Sequence, residues 1–107
     1  MPSVARVGDI GDGTCKAGHP GFPLGVPKPM TTEFVTGAST VFMDNQPVVI
    51  VGSIGATDCG HHTEALTGSP TVFVEGQPMH RVGDVGVVTE TGGGDYETIT
   101  GSPDGDN

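Results

Sequence analysis

Residues 67–84 read TGSPTVFVEGQPMHRVGD: two short apolar runs either side of Glu75-Gly76, closed by Gly83-Asp84. A glycine in such a pair tolerates the positive φ of a two-residue hairpin turn, so the stretch reads as strand, tight turn, strand and stop. It recurs in residues 36–53, TGASTVFMDNQPVVIVGS, which agree at Thr-Gly, Thr-Val-Phe, Gln-Pro and Val-Gly and place Asp44-Asn45 at the turn. A third copy is divided: its opening, TGSPD, is Thr100–Asp104, and its closing half, SVARVGD, is Ser3–Asp9. A unit whose halves lie near opposite ends forms only if the chain travels round and closes on itself. A ring of three units is therefore expected, near 36–53, 67–84 and 100–107 joined with 1–9, each burying against its neighbours an apolar face it cannot bury alone.

The 107 residues leave room for one small domain spanning residues 1–107, and 19 Gly, 9 Pro, no Trp, one Tyr and four Phe leave few large side chains for a deep core. The net charge of −9, with only four Lys and Arg, argues against a nucleic-acid partner and against anionic membrane surfaces. No apolar run approaches the roughly 20 residues of a membrane-spanning helix, and the N-terminus lacks a basic, apolar leader. A soluble, cytoplasmically made product without a signal peptide is expected.

Along the chain, Ser3–Val7 reads as a short strand and 10–30 as almost all turn, because Gly11, Gly13, Gly18, Gly21 and Gly25 interleave with Pro20, Pro23, Pro27 and Pro29. Residues 31–35 read as a strand, 40–43 and 48–51 as the arms of the first hairpin, 85–91 as a further strand, 92–95 as a turn and 96–100 as the strand entering the divided unit. Pro47 and Pro78 follow the two turns at equal offsets, which suits exposed edges. No stretch keeps a helical period, so the fold class is all-β.

Cys15 lies six residues after Asp9 and Cys59 six after Ser53, so both cysteines leave their units at the same step. His19 follows the first, and His61 and His62 follow the second. Thiolate and imidazole suit zinc, and a structural site takes four such ligands. Four of Cys15, His19, Cys59, His61 and His62 are expected to hold Zn2+ as a structural staple, and in an extended segment His61 and His62 point to opposite sides. In the third unit this step falls on Glu90, read as a solvated carboxylate rather than a substitute ligand. His80, in Met79-His80-Arg81, is read as structural.

Catalytic patterns are scarce. No nucleophile elbow, phosphate-cradling loop or His-Glu-x-x-His helix is present. Asp104 and Asp106 pair only in a tail, and Gly92–Asp95 is similar to a single copy of a calcium-binding repeat that works in tandem. No enzyme activity, catalytic residue or organic cofactor is expected; a zinc hydrolase would require an open coordination position.

The runs Gly68–Val74, Val4–Asp9 and Met79–Asp84, together with Cys59-Gly60-His61, resemble the PAAR-repeat family over nearly the whole chain. The resemblance implies a small cone of pseudo-three-fold symmetry with zinc held by Cys and His near its point. Its base, formed by hairpins 38–51 and 69–82 and the divided unit, would cap a trimeric β-helical spike, either the central spike of a contractile phage tail or the VgrG-type spike of type VI secretion. The implied role is a non-enzymatic tip that leads the spike through a target cell envelope, located at the virion tail tip or exported from the cytoplasm on the secretion spike. An adaptor that docks cargo or effector proteins onto such a spike is the alternative. The brevity of the chain implies a tip with no effector extension. Two departures stand out: Val48–Ser53 lacks the arginine and aspartate of the other units, and no unit spells Pro-Ala-Ala-Arg.

Overall fold

In a computed structural model describing residues 3–102, the short apolar runs become antiparallel strands and none of the described residues is helical. The strands are β1 (Ile10–Cys15), β2 (Lys28–Phe34), β3 (Phe42–Met43), β4 (Gln46–Pro47), β5 (Ile54–Thr57), β6 (His62–Ala65), β7 (Phe73–Val74), β8 (Gln77–Pro78), β9 (Val85–Val88) and β10 (Gly94–Thr98). β1/β2, β5/β6 and β9/β10 are three hairpins that close into a six-stranded barrel in the order β1-β10-β9-β6-β5-β2. The small hairpins β3/β4 and β7/β8 project from the chain between them, turning at Asp44-Asn45 and Glu75-Gly76 with the positive φ expected of such turns. Pro103 to Asn107, which include Asp104 and Asp106, lie outside the described residues.

The repeats meet at one end of the barrel, where segments 4–6, 48–50 and 79–81 bridge in a cycle: Arg6 to Val48, Ile50 to Met79 and Arg81 to Val4. At the centre, Ala5 N–H donates to the His80 carbonyl (3.0 Å), His80 N–H to Val49 (2.9 Å) and Val49 N–H to Ala5 (2.9 Å). This is the expected ring of three, and the divided unit takes its place in it: Ser102 N–H donates to the Val4 carbonyl (2.8 Å).

The repeat's sequence signatures follow from this ring. Each Val-Gly pair is the centre of a turn closed by a bond from Asp9 to Arg6, Ser53 to Ile50 or Asp84 to Arg81, and Gly8, Gly52 and Gly83 sit at φ of 98°, 95° and 93°, where a Cβ is strained. The opening threonines terminate the barrel strands. The carbonyls of Ile10, Ile54 and Val85 each accept two successive N–H groups, from Ile99 and Thr100, Val35 and Thr36, or Leu66 and Thr67. These are β-bulges, and in each the Thr Oγ1 takes the N–H of the opposing residue at 2.8–3.0 Å.

The interior is stacked in layers from β2, β6 and β10. Phe34, Ala65 and Thr98 lie nearest the ring, and Thr32, Thr63 and Tyr96 lie one pleat further along, all buried. Large residues in one unit are matched by small ones in another: a Cβ at Gly11 or Gly86 would fall on the Tyr96 ring, while Thr32 and Thr63 share a hydroxyl–hydroxyl bond of 2.7 Å.

Two of the sequence readings need correction. Residues 10–15 are a strand lying between β2 and β10, not turn, and residues 28–30 are also strand, paired with β1. Glycine is unfavourable in strands on propensity, but Gly11 and Gly13 face Tyr96 and the Asp95 carbonyl too closely for any side chain, so packing overrides propensity. Residues 48–51 are not the second arm of a long hairpin. Val48 still bonds to the first arm, its N–H to Val41 and its carbonyl to the Ala38 N–H, but from Val49 on the segment bonds into the ring.

His80 is fully buried, as a structural reading requires. Its Nδ1–H donates to the Thr67 carbonyl at 2.7 Å, so Nε2 accepts from the Thr98 hydroxyl, also at 2.7 Å, and the ring is neutral. Burial holds its pKa below the ordinary range, with the Thr67 carbonyl and Asp84 opposing. Protons are therefore favoured on the unfolded chain: the stability from neutral His80 is complete above about pH 6.5 and is lost as pH falls towards the folded value. Urea-unfolding midpoints should fall below about pH 6.5, and His80→Gln should make that decline shallower than in the parent. Gly86→Ala should cost about 3 kcal/mol or more by overpacking against Tyr96, against about 1 kcal/mol for Gly83→Ala, which meets only backbone strain.

Candidate metal centre

Strand alternation carries both cysteines to the end of the barrel opposite the ring. In β1 the inward residues run Gly11, Gly13, Cys15, and in β5 they run Gly55, Thr57 and on to Cys59, so equal spacing becomes equal height along the bore. His61 precedes β6 on the face that continues into the buried Thr63 and Ala65. His19 arrives by a different route. The 16–27 loop doubles back through paired backbone bonds between His19 and Phe22 (2.7 and 2.9 Å), and it is fastened by Lys16 N–H to Gly93 (2.8 Å) and Gly25 N–H to Lys16 (2.8 Å).

Four donor atoms converge there. One from each of Cys15, His19, Cys59 and His61 lies within 4.8 Å of all the others. His61 Nδ1 stands 3.5 Å from Cys15 Sγ and 3.7 Å from Cys59 Sγ, and its ring meets His19 edge-on with centroids 4.9 Å apart. Thr57 shapes the second pair: its Oγ1 accepts the His61 N–H at 2.8 Å and lies 3.1 Å from Cys59 Sγ. The apolar floor includes Met30 and Val88, with Ala17 and Cys59 packed against it.

The electrostatics fit a cation. Both ring nitrogens of His19 are shielded from solvent and have no hydrogen-bond partner, although the residue as a whole is only half-buried. Unpaired buried nitrogens are costly unless something else takes their lone pair. Burial, with His61 and Lys28 adding, keeps the His19 pKa below its ordinary range and so keeps it in the neutral, ligating form. Burial also pushes the Cys15 thiol up, with Cys59 and Glu90 contributing, a balance that a bound cation would reverse. Both cysteines are free thiols. The arrangement can therefore hold a metal ion.

His62 faces the other way, as its place in an extended segment requires. Its Nδ1 is 3.1 Å from Glu90 Oε2 and its N–H donates to Glu90 Oε1 at 3.0 Å. Glu90, at the third unit's equivalent of the cysteine position, thus holds the His61-His62 segment from across the β6–β9 seam. The sequence reading of a solvated carboxylate missed this contact, which no spacing announces. Thr57 was also missed. Its strand alternation with Gly55 and Cys59 is the signal that finds it.

Fold and cluster together define a small closed β-barrel with, at one end, a Cys2His2 cluster that could hold a metal ion. No family model matches the chain, and no curated protein gives a significant match. Elemental analysis should find about one bound transition-metal ion per chain, as expected of a single four-ligand site. Cys59→Ser and His61→Ala should lose that ion together with thermal stability, whereas His62→Ala should keep it.

Proposed function

We propose that this chain is a spike tip of the PAAR type, stapled by structural zinc and seated on the three-fold end of a trimeric β-helical spike in a contractile phage tail or type VI secretion machine. The observation that carries the reading is the cyclic bonding of Ala5, Val49 and His80, which gives a single chain three equivalent faces at one end while the Cys/His cluster closes the other. A monomer with that symmetry is suited to a three-fold partner. The dimensions, 40 × 23 × 22 Å, are those of an elongated body.

Zinc is the ion the donor set favours. Two thiolates and two imidazoles on a tetrahedron have ligand–ligand edges of roughly 3.3–3.8 Å, within the 4.8 Å limit of the cluster. With four protein ligands the metal is closed to substrate, and its contribution is to hold the β1–β2 and β5–β6 loops together at the point of load. Resistance to force depends on unfolding rate, and strands closed in a barrel, tied at both ends, leave no free edge to peel.

For docking, the chain offers exposed apolar residues on the two small hairpins: Val41, Phe42, Val72 and Phe73, with Phe42 55% and Phe73 58% exposed. Such residues beside short, unpaired strand edges suit continuation of a partner's β-structure. The test is to mix the purified chain with the trimeric β-helical spike of the same machine and determine stoichiometry by light scattering. One chain per trimer is expected, and Phe42→Asp with Phe73→Asp should lower affinity by about 100-fold, the loss of two well-packed aromatic contacts. Failure of the parent chain to bind that spike would sink the proposal.

A further inference from the structure

The thirteen acidic residues are not evenly spread: none lies between Asp12 and Glu33, although the chain as a whole carries a net charge of −9. That acid-free interval holds both lysines of the chain, Lys16 and Lys28. The arginines are different, since Arg6 and Arg81 are ion-paired with Asp9 and Asp84 near the ring. No described carboxylate lies within ion-pair distance of either lysine. Lys28 Nζ instead sits 5.9 Å from the centroid of the Phe22 ring.

The same interval forms the loop over the metal-binding end, and its tip is apolar and exposed. Leu24 is 59% and Val26 41% exposed, flanked by exposed Pro23 and Pro27. The loop is held in shape. Besides the bonds that fasten it to the barrel, Val26 N–H donates to Pro23 at 2.9 Å, and a Cβ at Gly92 would collide with the Leu24 side chain and the Lys16 carbonyl. Of the other carboxylates of this end, Asp58 accepts the Thr31 N–H and Glu90 engages His62, while Asp95 in β10 is exposed. A rigid apolar prong flanked by unpaired lysines, on an otherwise acidic molecule, is complementary to a surface that is negative outside and apolar beneath.

We infer that the 16–28 loop is a lipid-contact element, inserting Leu24 and Val26 at the headgroup–acyl boundary of an anionic phospholipid bilayer while Lys16 and Lys28 pair with headgroup phosphates. Apolar insertion and basic attraction add in such binding. The charge is local: acidic residues farther along the barrel than a Debye length, about 8 Å at physiological salt, are largely screened. This inference rests on the charge and exposure of the loop and stands apart from spike docking, whose test contains no lipid.

Flotation of the protein as isolated with phosphatidylcholine vesicles, with and without phosphatidylglycerol, tests it. Binding to the anionic vesicles is expected, weakening as salt rises. The Lys16→Gln and Lys28→Gln double variant should lose roughly thirty-fold, the worth of two lysines at an anionic surface. Leu24→Asp with Val26→Asp should abolish flotation while metal content and circular dichroism stay at parental values, which separates lost contact from lost fold. Absence of binding to either vesicle would overturn the inference. So would binding that these four substitutions leave unchanged, since another surface or a lipid-independent partner would then be responsible.

Discussion

Three backbone hydrogen bonds in a cycle, Ala5 to His80, His80 to Val49 and Val49 to Ala5, are the constraint on which the rest of the molecule depends. Each N–H in the cycle finds its partner in a different repeat, so no unit can satisfy its own buried donors. An unpaired buried amide is costly, and this couples residues far apart in sequence, including the segment near the N-terminus that completes the divided unit. Once the cycle closes, the Val-Gly turns aim three hairpins along the axis and the barrel follows.

The opposite end has no comparable backbone cycle. There the strands give way to loops, and the shielded nitrogens of His19 have no partner among the described residues. Phe34 and Tyr96 are the only Phe or Tyr buried among the described residues, so the core offers modest burial and a bound metal would reinforce the fold. The Cys/His cluster occupies that place. Ring and cluster divide the labour, with hydrogen bonds fixing symmetry at one end and side-chain donors gathering the loops at the other.

The symmetry is broken wherever packing or chemistry demands it. Equivalent ring positions carry Ala5, Val49 and His80, and equivalent bore positions carry Thr32, Thr63 and Tyr96, so the total volume is kept while its distribution is not. The third unit places Glu90 where the others place cysteine and uses it to grip His62. His19 has no counterpart by repeat spacing and is supplied by the long loop, which also carries the two lysines and the exposed Leu24 and Val26.

The sequence by itself determined the repeat, the two small turns, the all-β class and the cysteine pair, because each rests on local chemistry: positive φ at Asp44-Asn45 and Glu75-Gly76, missing proline donors, and an equal six-residue step from each unit to its cysteine. Tertiary structure alone decided that residues 10–15 form a strand. Two glycines there oppose strand formation on propensity, and only the approach of Tyr96 and the Asp95 carbonyl from the far side of the barrel makes them necessary. It also decided between His61 and His62. Alternation says that adjacent residues face apart, but which one faces inward is a matter of register, and register was set by the pairing of β6 with β5 and β9 across the closed barrel.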